Sequence, residues 1–224
     1  MRYRVDNSPT FSVLKVWLEP GEHVWAEPGA LMLMKGDVRI ETKAYGGILK
    51  ALKRLVLGSE GFMMNRYEAV TEAELWFVPP TPGDIKALEI HDGASWIVQD
   101  TAYLAHTGEV DIDVKMRLRG VVAEGELFLL ELKGEGLAWI ASYGAIEEVE
   151  VPPGSKIIVD NYHFVAMPGD IDWRIRKFGG WKSFLLGGEG FVIEVRGPAR
   201  LYVQTRILPF FAEVLQRFMP SRRA

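Results

Sequence analysis

Three landmarks recur in the same order along this chain of 224 residues, and their recurrence restricts the fold more than any other feature. The first is a Pro-Gly turn, the second is a glycine followed by an acid and a β-branched residue, and the third is a Glu-Gly pair. They fall at Pro20-Gly21, Pro82-Gly83 and Pro153-Gly154, at Gly36-Asp37-Val38, Gly108-Glu109-Val110 and Gly169-Asp170-Ile171, and at Glu60-Gly61, Glu124-Gly125 and Glu189-Gly190. The recurrence predicts three tandem units, approximately 9–80, 81–150 and 151–206.

The segments between these landmarks read as short β-strands. From Val110 to Arg119 apolar and charged residues alternate, which is typical of a strand buried on one face. An apolar strand with an aromatic residue completes each unit, at Trp76, Trp139 and Tyr202, with a constant separation along the chain. The sequence therefore predicts an all-β fold. Each unit is expected to form a small two-layer β-sandwich or a rolled sheet, and the three units to pack around a pseudo-threefold axis.

The C-terminal segment, residues 207–224, is the only stretch with clear helical periodicity. From Leu208 to Met219, Pro209 suits a first helical turn, and four apolar residues form one stripe. These are Phe211, Val214, Leu215 and Phe218. Such a stripe usually covers the protein's own core, and a contact between subunits is the alternative.

Two long connections in the first and third units are the candidate partner contacts. Both combine a Gly-Gly pair, large apolar residues and lysine, a composition that suits docking on a partner subunit or an anionic membrane surface. The alternative is that each connection folds back on its own unit. The proposed contact residues are Ile48, Leu49, Leu52, Leu55, Trp181, Phe184 and Leu185.

The sequence contains no recognisable catalytic or metal-binding motif. There is no cysteine, no Gly-x-Ser-x-Gly nucleophile elbow, and no pair of histidines at metal-ligand spacing. We therefore predict no catalytic residue, metal or cofactor, and expect His23, His91, His106 and His163 to be surface or turn residues. Thirty acidic against 26 basic residues make nucleic-acid binding improbable. No signal peptide or membrane span is apparent, and we expect a cytoplasmic protein.

Several of these features together resemble the altered-inheritance-of-mitochondria protein 24 family. They are the run from Glu27 to Met32, the Gly46-Gly47 and Gly179-Gly180 pairs, the Glu-Gly turns and the closing Gln204-Thr205-Arg206. The resemblance extends from about Tyr3 to Phe218. It implies repeated units with a fold similar to the tryptophan RNA-binding attenuation protein, which is a short variant of the double-stranded β-helix. It also implies homo-oligomers, with a trimer favoured. It provides no agreed catalytic residues.

Two functions remain open at this point. The first is a non-enzymatic oligomeric β scaffold that binds a protein partner or a membrane surface through the two connections. The second is a small-molecule-binding protein with a pocket between the β units, lined by tryptophans.

Overall fold

A computed structural model describes residues 1–44, 63–119, 126–177 and 191–219, and most of these residues belong to β-strands. This confirms the predicted all-β class. The strands in the first third of the chain are β1 (Arg2–Asp6), β2 (Val13–Leu18), β3 (His23–Ala26), β4 (Leu31–Lys35), β5 (Val38–Ala44), β6 (Met63–Ala69) and β7 (Ala73–Phe77). The middle third forms β8 (Ile85–Ile90), β9 (Ser95–Gln99), β10 (Tyr103–Arg119) and β11 (Glu126–Ala141). The last third forms β12 (Ile146–Val151), β13 (Lys156–Asp160), β14 (Phe164–Pro168), β15 (Trp173–Lys177), β16 (Phe191–Arg196) and β17 (Ala199–Gln204), followed by helix α1 (Leu208–Gln216).

The same order of strand pairing occurs in three successive stretches of the chain. In the first stretch β7 lies between β2 and β4, and β6 pairs with β3 and β5. In the second, the long strand β10 takes the place of both β4 and β5, and the long strand β11 takes the place of both β6 and β7. Strands β8 and β9 pair with successive parts of β11, as β2 pairs with β7 and β3 with β6. In the third, β17 lies between β12 and β14, and β16 between β13 and β15. The packing of the units around a threefold axis stays a prediction.

The pairing moves one of the sequence landmarks. Equivalent turns join β2 to β3, β8 to β9 and β12 to β13. They contain Gly21, Gly93 and Gly154, all with positive φ. Pro82-Gly83 instead precedes β8, so the second stretch uses Asp92-Gly93 at this turn. The Pro-Gly pattern was therefore misplaced in the second unit, because a turn that needs positive φ requires the glycine and not the proline. The three Glu-Gly landmarks lie outside the described residues.

Two junctions join the stretches edge to edge. Strand β10 pairs with β3, where Ala105 is opposite Ala26, and β14 pairs with β9, where Ala166 is opposite Val98. All four of these side chains are fully buried. Small residues at such positions let the edges approach while apolar clusters fill the space between the sheets. In the described part of the chain, β4 pairs only with β7 and β13 only with β16.

Helix α1 forms where the sequence predicts it, but its apolar stripe does not cover the core. None of its residues is buried, and the exposed fractions of Phe211 and Phe218 are 44% and 81%. The reason is that the apolar clusters between the sheets are completed by strand residues and include no residue of α1. The ring of Phe211 contacts that of Tyr143, with 5.8 Å between the ring centroids, but no residue of the stripe joins the apolar clusters between the sheets, so the predicted core role is wrong.

His106 is fully buried, which corrects the prediction that the histidines lie at the surface or in turns. It lies on β10 where that strand runs between β3 and β11, with buried residues on both faces. Its Nδ1 lies 2.6 Å from the Tyr103 hydroxyl oxygen, and its ring stacks on Trp25. Burial lowers the pKa of His106 to about 3, so it is neutral in the folded protein.

Candidate functional site

A cavity of about 500 Å³ opens where the three stretches meet, and we call it the junction cavity. Its volume lies within the range of small-molecule sites, roughly 300–1,000 Å³. The first stretch contributes Glu27 and Pro79, Pro80 and Thr81; the second contributes Gln99, Asp100, Thr101, Ala141, Ser142 and Tyr143; the third contributes Tyr162 and Gln204; and α1 contributes Leu208 and Pro209.

These residues come together because equivalent strand ends point to the same place. The second strand of each stretch ends there: β3 runs into Glu27, β9 into Asp100, and β13 toward Tyr162. The last strand of each stretch ends there as well, in 79–81 after β7, in 141–143 at the end of β11, and at Gln204 on β17. Side chains far apart in the sequence therefore line one space.

Glu27 is the most perturbed ionisable group of the junction cavity. Its backbone N–H donates a hydrogen bond of 3.0 Å to the carbonyl of Leu104, which fixes its position across the first junction. Its carboxyl group has no hydrogen-bond or ion-pair partner within the described residues. Burial raises the pKa of Glu27 to about 8, and the negative charge of Asp100 contributes in the same direction. At neutral pH this carboxyl group is therefore largely protonated.

Asp100 and Gln99 add two further acceptors that lack donors. Burial raises the pKa of Asp100 to about 6, although backbone N–H groups of Thr101 and Phe128 oppose the shift. Its Oδ1 is nevertheless without a hydrogen-bond partner. The Oε1 of Gln99 also has no partner, and only 3% of this residue is exposed. Buried polar atoms usually have partners, so two orphans beside one cavity call for an explanation.

The chemistry of the lining is that of a binding site that is rich in acceptors. No lysine, arginine or histidine is among the described residues that line it, so this part of the wall offers neither carboxyl group a fixed positive charge. The described ranges also contain no group of three or more histidine, aspartate or glutamate side chains suited to a metal ion. The remaining wall is made largely of proline, alanine, leucine and tyrosine. Such a cavity suits a small molecule that carries hydrogen-bond donors and an apolar body.

The predicted contact residues cannot be placed relative to this cavity. Ile48, Leu49, Leu52 and Leu55 fall in 45–62, and Trp181, Phe184 and Leu185 fall in 178–190; both segments lie outside the described residues. A pocket between the β units was the alternative prediction, and the junction cavity has that location. Its lining contains no tryptophan among the described residues, so the expected aromatic wall is supplied by tyrosine instead.

Sequence reasoning singled out neither Gln99 nor Asp100. It considered Glu27 within the family resemblance and, together with His23, as an incomplete metal motif. One signal was present in the sequence. Glu27 and Asp100 are acids that directly follow a short apolar strand, at a point where a half-buried chain leaves the sheet.

Within the described ranges, no helix is long and apolar enough to cross a bilayer. The cytoplasmic location stays a prediction.

Comparison with known proteins gives the family. The chain is similar to an uncharacterized protein of Streptococcus pyogenes serotype M6, with 27% identity over 230 residues that cover 99% of this chain and 92% of that protein. It is also similar to a crystal structure of a Streptococcus pyogenes protein from a structural genomics consortium. That likeness has a TM-score of 0.81 and 28% identity, and it covers 97% of this chain and 99% of the other. The model of the family described as Mitochondrial biogenesis AIM24 matches residues 3–206, and the chain therefore belongs to this family, as the sequence features predicted.

Proposed function

We propose that the protein binds a small molecule in the junction cavity. The observation that carries the proposal is the cavity itself, which has a volume of about 500 Å³, is lined by all three stretches and has a largely apolar wall. Small-molecule sites are concave and mostly apolar, with a few polar groups that orient the ligand. The carboxyl group of Glu27, which has no partner within the described residues, is the polar group that would orient it here.

The proposal assigns binding rather than catalysis. The hydroxyl of Ser142 donates to the carbonyl of Gly144 at 2.6 Å, so it is engaged in holding the chain turn. No histidine lies among the described lining residues to activate it or a neighbouring threonine. A nucleophile needs such a base within hydrogen-bond reach. The cavity therefore supports recognition better than covalent chemistry.

Filling the cavity should abolish binding. Thr101 is exposed at the cavity wall, in a short 3₁₀ turn, so Thr101→Trp is expected to occupy the space without disturbing a buried contact. A thermal-shift screen of a mixed library of amines, alcohols, carboxylic acids and nucleosides would identify binders. A ligand at 100-fold its Kd stabilises by about 2.7 kcal/mol. We expect Thr101→Trp to lose every such shift.

The matched control for this prediction is Thr10→Trp, an exposed threonine in a turn that does not line the cavity. It should retain the shifts of the wild-type protein. Shifts that survive in Thr101→Trp would place the ligand elsewhere. A library in which no compound stabilises the wild-type protein would count against the proposed function.

A second candidate function is an oligomeric scaffold, and the two unpaired strand edges favour it. Leu33 and Ala105 hold the same position opposite Trp76 and Trp139, which makes Met34 on β4 the counterpart of His106. Likewise Ile158 on β13 corresponds to Ile97 on β9. Ile158 is opposite Glu194 on β16, and Ile97 is opposite Glu131 on β11. His106 and Ile97 are fully buried in the junctions, whereas Met34 and Ile158 are 41% and 50% exposed.

The partner that fits these edges is a second copy of this chain. In each internal junction a strand equivalent to β4, namely β10 or β14, pairs with a strand equivalent to β13, namely β3 or β9. Strand β13 of one copy and β4 of the next therefore have matching geometry. A head-to-tail contact of this kind generates a ring if its rotation closes, and a trimer would be one such ring. The roles of the connections 45–62 and 178–190 in partner or membrane contact stay predictions.

A charge on the exposed edge should therefore disrupt assembly. We expect Ile158→Lys to reduce the mass measured by light scattering from that of an oligomer to that of one chain, because the lysine would have to be buried in the contact. Val70→Lys, at an exposed residue of a bend, is the matched control and should leave the mass unchanged. If light scattering gives the mass of one chain for the wild-type protein at every protein concentration, the edge contact is refuted.

A further inference from the structure

The aromatic residue that completes each stretch is covered in the second and third stretches but not in the first. Trp139 and Tyr202 have exposed fractions of 0% and 7%, because each packs into the apolar cluster around the preceding stretch. Trp139 makes an edge contact with Tyr3 of the first stretch, and Tyr202 stacks on Trp96 of the second. Trp76 has no preceding stretch in its own chain, is only partly buried, and joins none of the apolar clusters of the described residues.

The junction between the second and third stretches also contains an ion pair beside its aromatic residue. Lys86 on β8 donates to Oε2 of Glu148 on β12 at 3.0 Å, and its Nζ lies 4.2 Å from the centroid of the Tyr202 ring. Glu148 is opposite Tyr202 in the pairing of β12 with β17. Lys86 is opposite Ile140, which directly follows Trp139 on β11. The ion pair therefore joins two successive stretches at a defined register.

On the side of the unpaired β4 edge, a lysine holds the position of Glu148. Lys15 on β2 is opposite Trp76, which is the relation that Glu148 has to the aromatic residue of the third stretch. Its Nζ lies 3.8 Å from the centroid of the Trp76 ring and 2.9 Å from a carboxylate oxygen of Asp6. Lys15 thus places a positive charge over the aromatic side chain that no preceding stretch covers.

On the side of the unpaired β13 edge, a glutamate holds the position of Lys86. Glu147 on β12 is opposite Val203, the residue that follows the aromatic residue of its stretch, as Lys86 is opposite Ile140. Glu147 is exposed, and it has no hydrogen-bond or ion-pair partner within the described residues. The two unpaired sides of the chain therefore carry the charges of the internal ion pair with their places exchanged.

Resting on the oligomeric scaffold, the second candidate function, we propose that the next copy of the chain docks on Trp76 and that Glu147 of that copy forms an ion pair with Lys15. The arrangement repeats the internal junctions once more, with β13 of one copy beside β4 of the next. In it, Ile157 takes the place of Trp96 and packs on the Trp76 ring. An apolar anchor and one charge pair together define the register of the contact.

The charges also select the orientation of the two copies. Two β4 sides brought together would place Lys15 of one copy near Lys15 of the other, and two β13 sides would do the same with Glu147. Juxtaposed like charges are unfavourable and suppress wrong pairings at an interface. The head-to-tail contact pairs opposite charges, so it is the arrangement that the two sides favour.

Trp17 is a matched control on the same face of the sheet. It lies on β2 two residues beyond Lys15, and its equivalents in the other stretches are Glu89 and Glu150. The side chains of these glutamates remain 77% and 72% exposed although their stretches take part in the internal junctions. We therefore expect Trp17 to lie outside the contact between copies.

Exchanging the two charges tests the inference. In Lys15→Glu two acidic groups meet across the contact, and in Glu147→Lys two basic groups do. We expect each single variant to raise the dissociation constant measured by sedimentation equilibrium by about 10-fold, because attraction is replaced by repulsion. The variant with both substitutions should return to within about 3-fold of the wild type, since it restores the pair with reversed polarity.

A second pair of variants tests the anchor without changing a charge. Trp76→Ala should raise the same dissociation constant by about 10- to 100-fold, because aromatic anchors contribute most of the binding energy at an interface. Trp17→Ala should leave it unchanged. Equal dissociation constants for wild type and Trp76→Ala would overturn the inference.

The outcomes separate this inference from the scaffold on which it rests. A double variant that is as weak as Lys15→Glu would show that Lys15 acts within its own chain, through Asp6, and would overturn the ion pair. Single variants that associate like the wild type would overturn it as well. In both cases dissociation by Ile158→Lys would leave the edge contact in place, whereas a wild-type protein that does not associate overturns the scaffold and this inference together.

Discussion

Replacing Glu27 with glutamine is expected to stabilise the protein at alkaline pH and to leave its stability nearly unchanged at pH 4. Burial without a partner raises the pKa of Glu27 from 4.5 in its ordinary state to about 8 in the folded protein. Between these two values the folded protein holds a proton that the unfolded chain has released. Stability conferred by this group is therefore present below pH 4.5 and is lost as the pH rises toward 8.

The expected effect is large because the shift spans several pKa units. One pKa unit corresponds to about 1.4 kcal/mol, so ionisation of Glu27 in the empty cavity costs on the order of a few kcal/mol. Glutamine has a similar shape and cannot ionise, and it removes this cost. Asp100, whose pKa is raised to about 6, adds a smaller loss of stability over the pH range from 4 to 6.

Urea unfolding at pH 4, 6, 7, 8 and 9 would measure the effect as the difference in free energy of unfolding between Glu27→Gln and wild type. This difference should increase with pH and level off above pH 8. Glu213→Gln, the same substitution at an exposed position on α1, is the matched control. A difference that is the same at pH 4 and pH 9 would show that Glu27 is solvated or paired in solution.

Much of the fold could be predicted because it is encoded locally. Alternation at period two marks strands wherever one face is buried, and on β10 it correctly places Val110 and Ile112 in the core. The alternation does not reveal where burial of that face ends. Val114 and Met116 continue the same face of β10 and are 40% and 36% exposed. The three tandem units and their packing stay predictions, and the sequence landmarks do not indicate which strand edges pair.

The candidate site was harder to predict because it depends on contacts between stretches. Nothing in the immediate neighbourhood of Glu27 indicates that Asp100 and Gln99 will lie across the same cavity, since that requires both junctions to form. His106 was misassigned for a related reason: a strand buried on both faces has no polar side on which a histidine could reach water. Helix α1 showed the opposite error, since an amphipathic stripe indicates burial but does not say against what.

The glycine of the second landmark can be explained by a close approach that the sequence alone does not show. Gly108 has a φ of +86°, and a Cβ at this position would lie 2.6 Å from the carbonyl oxygen of Glu135 on β11. Gly36 occupies the corresponding place in the first stretch, where a Cβ would lie 2.3 Å from the carbonyl oxygen of Glu72. In these two stretches glycine is required because a neighbouring backbone carbonyl leaves no space for a side chain. At Gly169, the third member of the landmark, a Cβ would instead lie 2.0 Å from the hydroxyl oxygen of Ser95.

Gly108→Ala should therefore be among the most destabilising substitutions to a residue as small as alanine. The left-handed conformation alone costs a non-glycine residue about 1–2 kcal/mol. The clash with β11 adds a further cost of about 1–3 kcal/mol, the range for overpacking. The contacted atoms belong to the backbone of β11, which cannot move aside as the end of a flexible side chain could. We expect a loss of about 3 kcal/mol or more in the free energy of unfolding, measured by urea denaturation.

Gly93→Ala separates these two contributions. Gly93 also has a positive φ, +80°, but a Cβ there would meet no atom within 4 Å. It should lose only the conformational cost of about 1–2 kcal/mol, so the difference between the two variants measures the clash. Equal losses would mean that the strands at Gly108 separate readily, and the close approach would then not account for the recurring glycine. A larger loss in Gly108→Ala would tie the first regularity seen in the sequence to the spacing between paired strands.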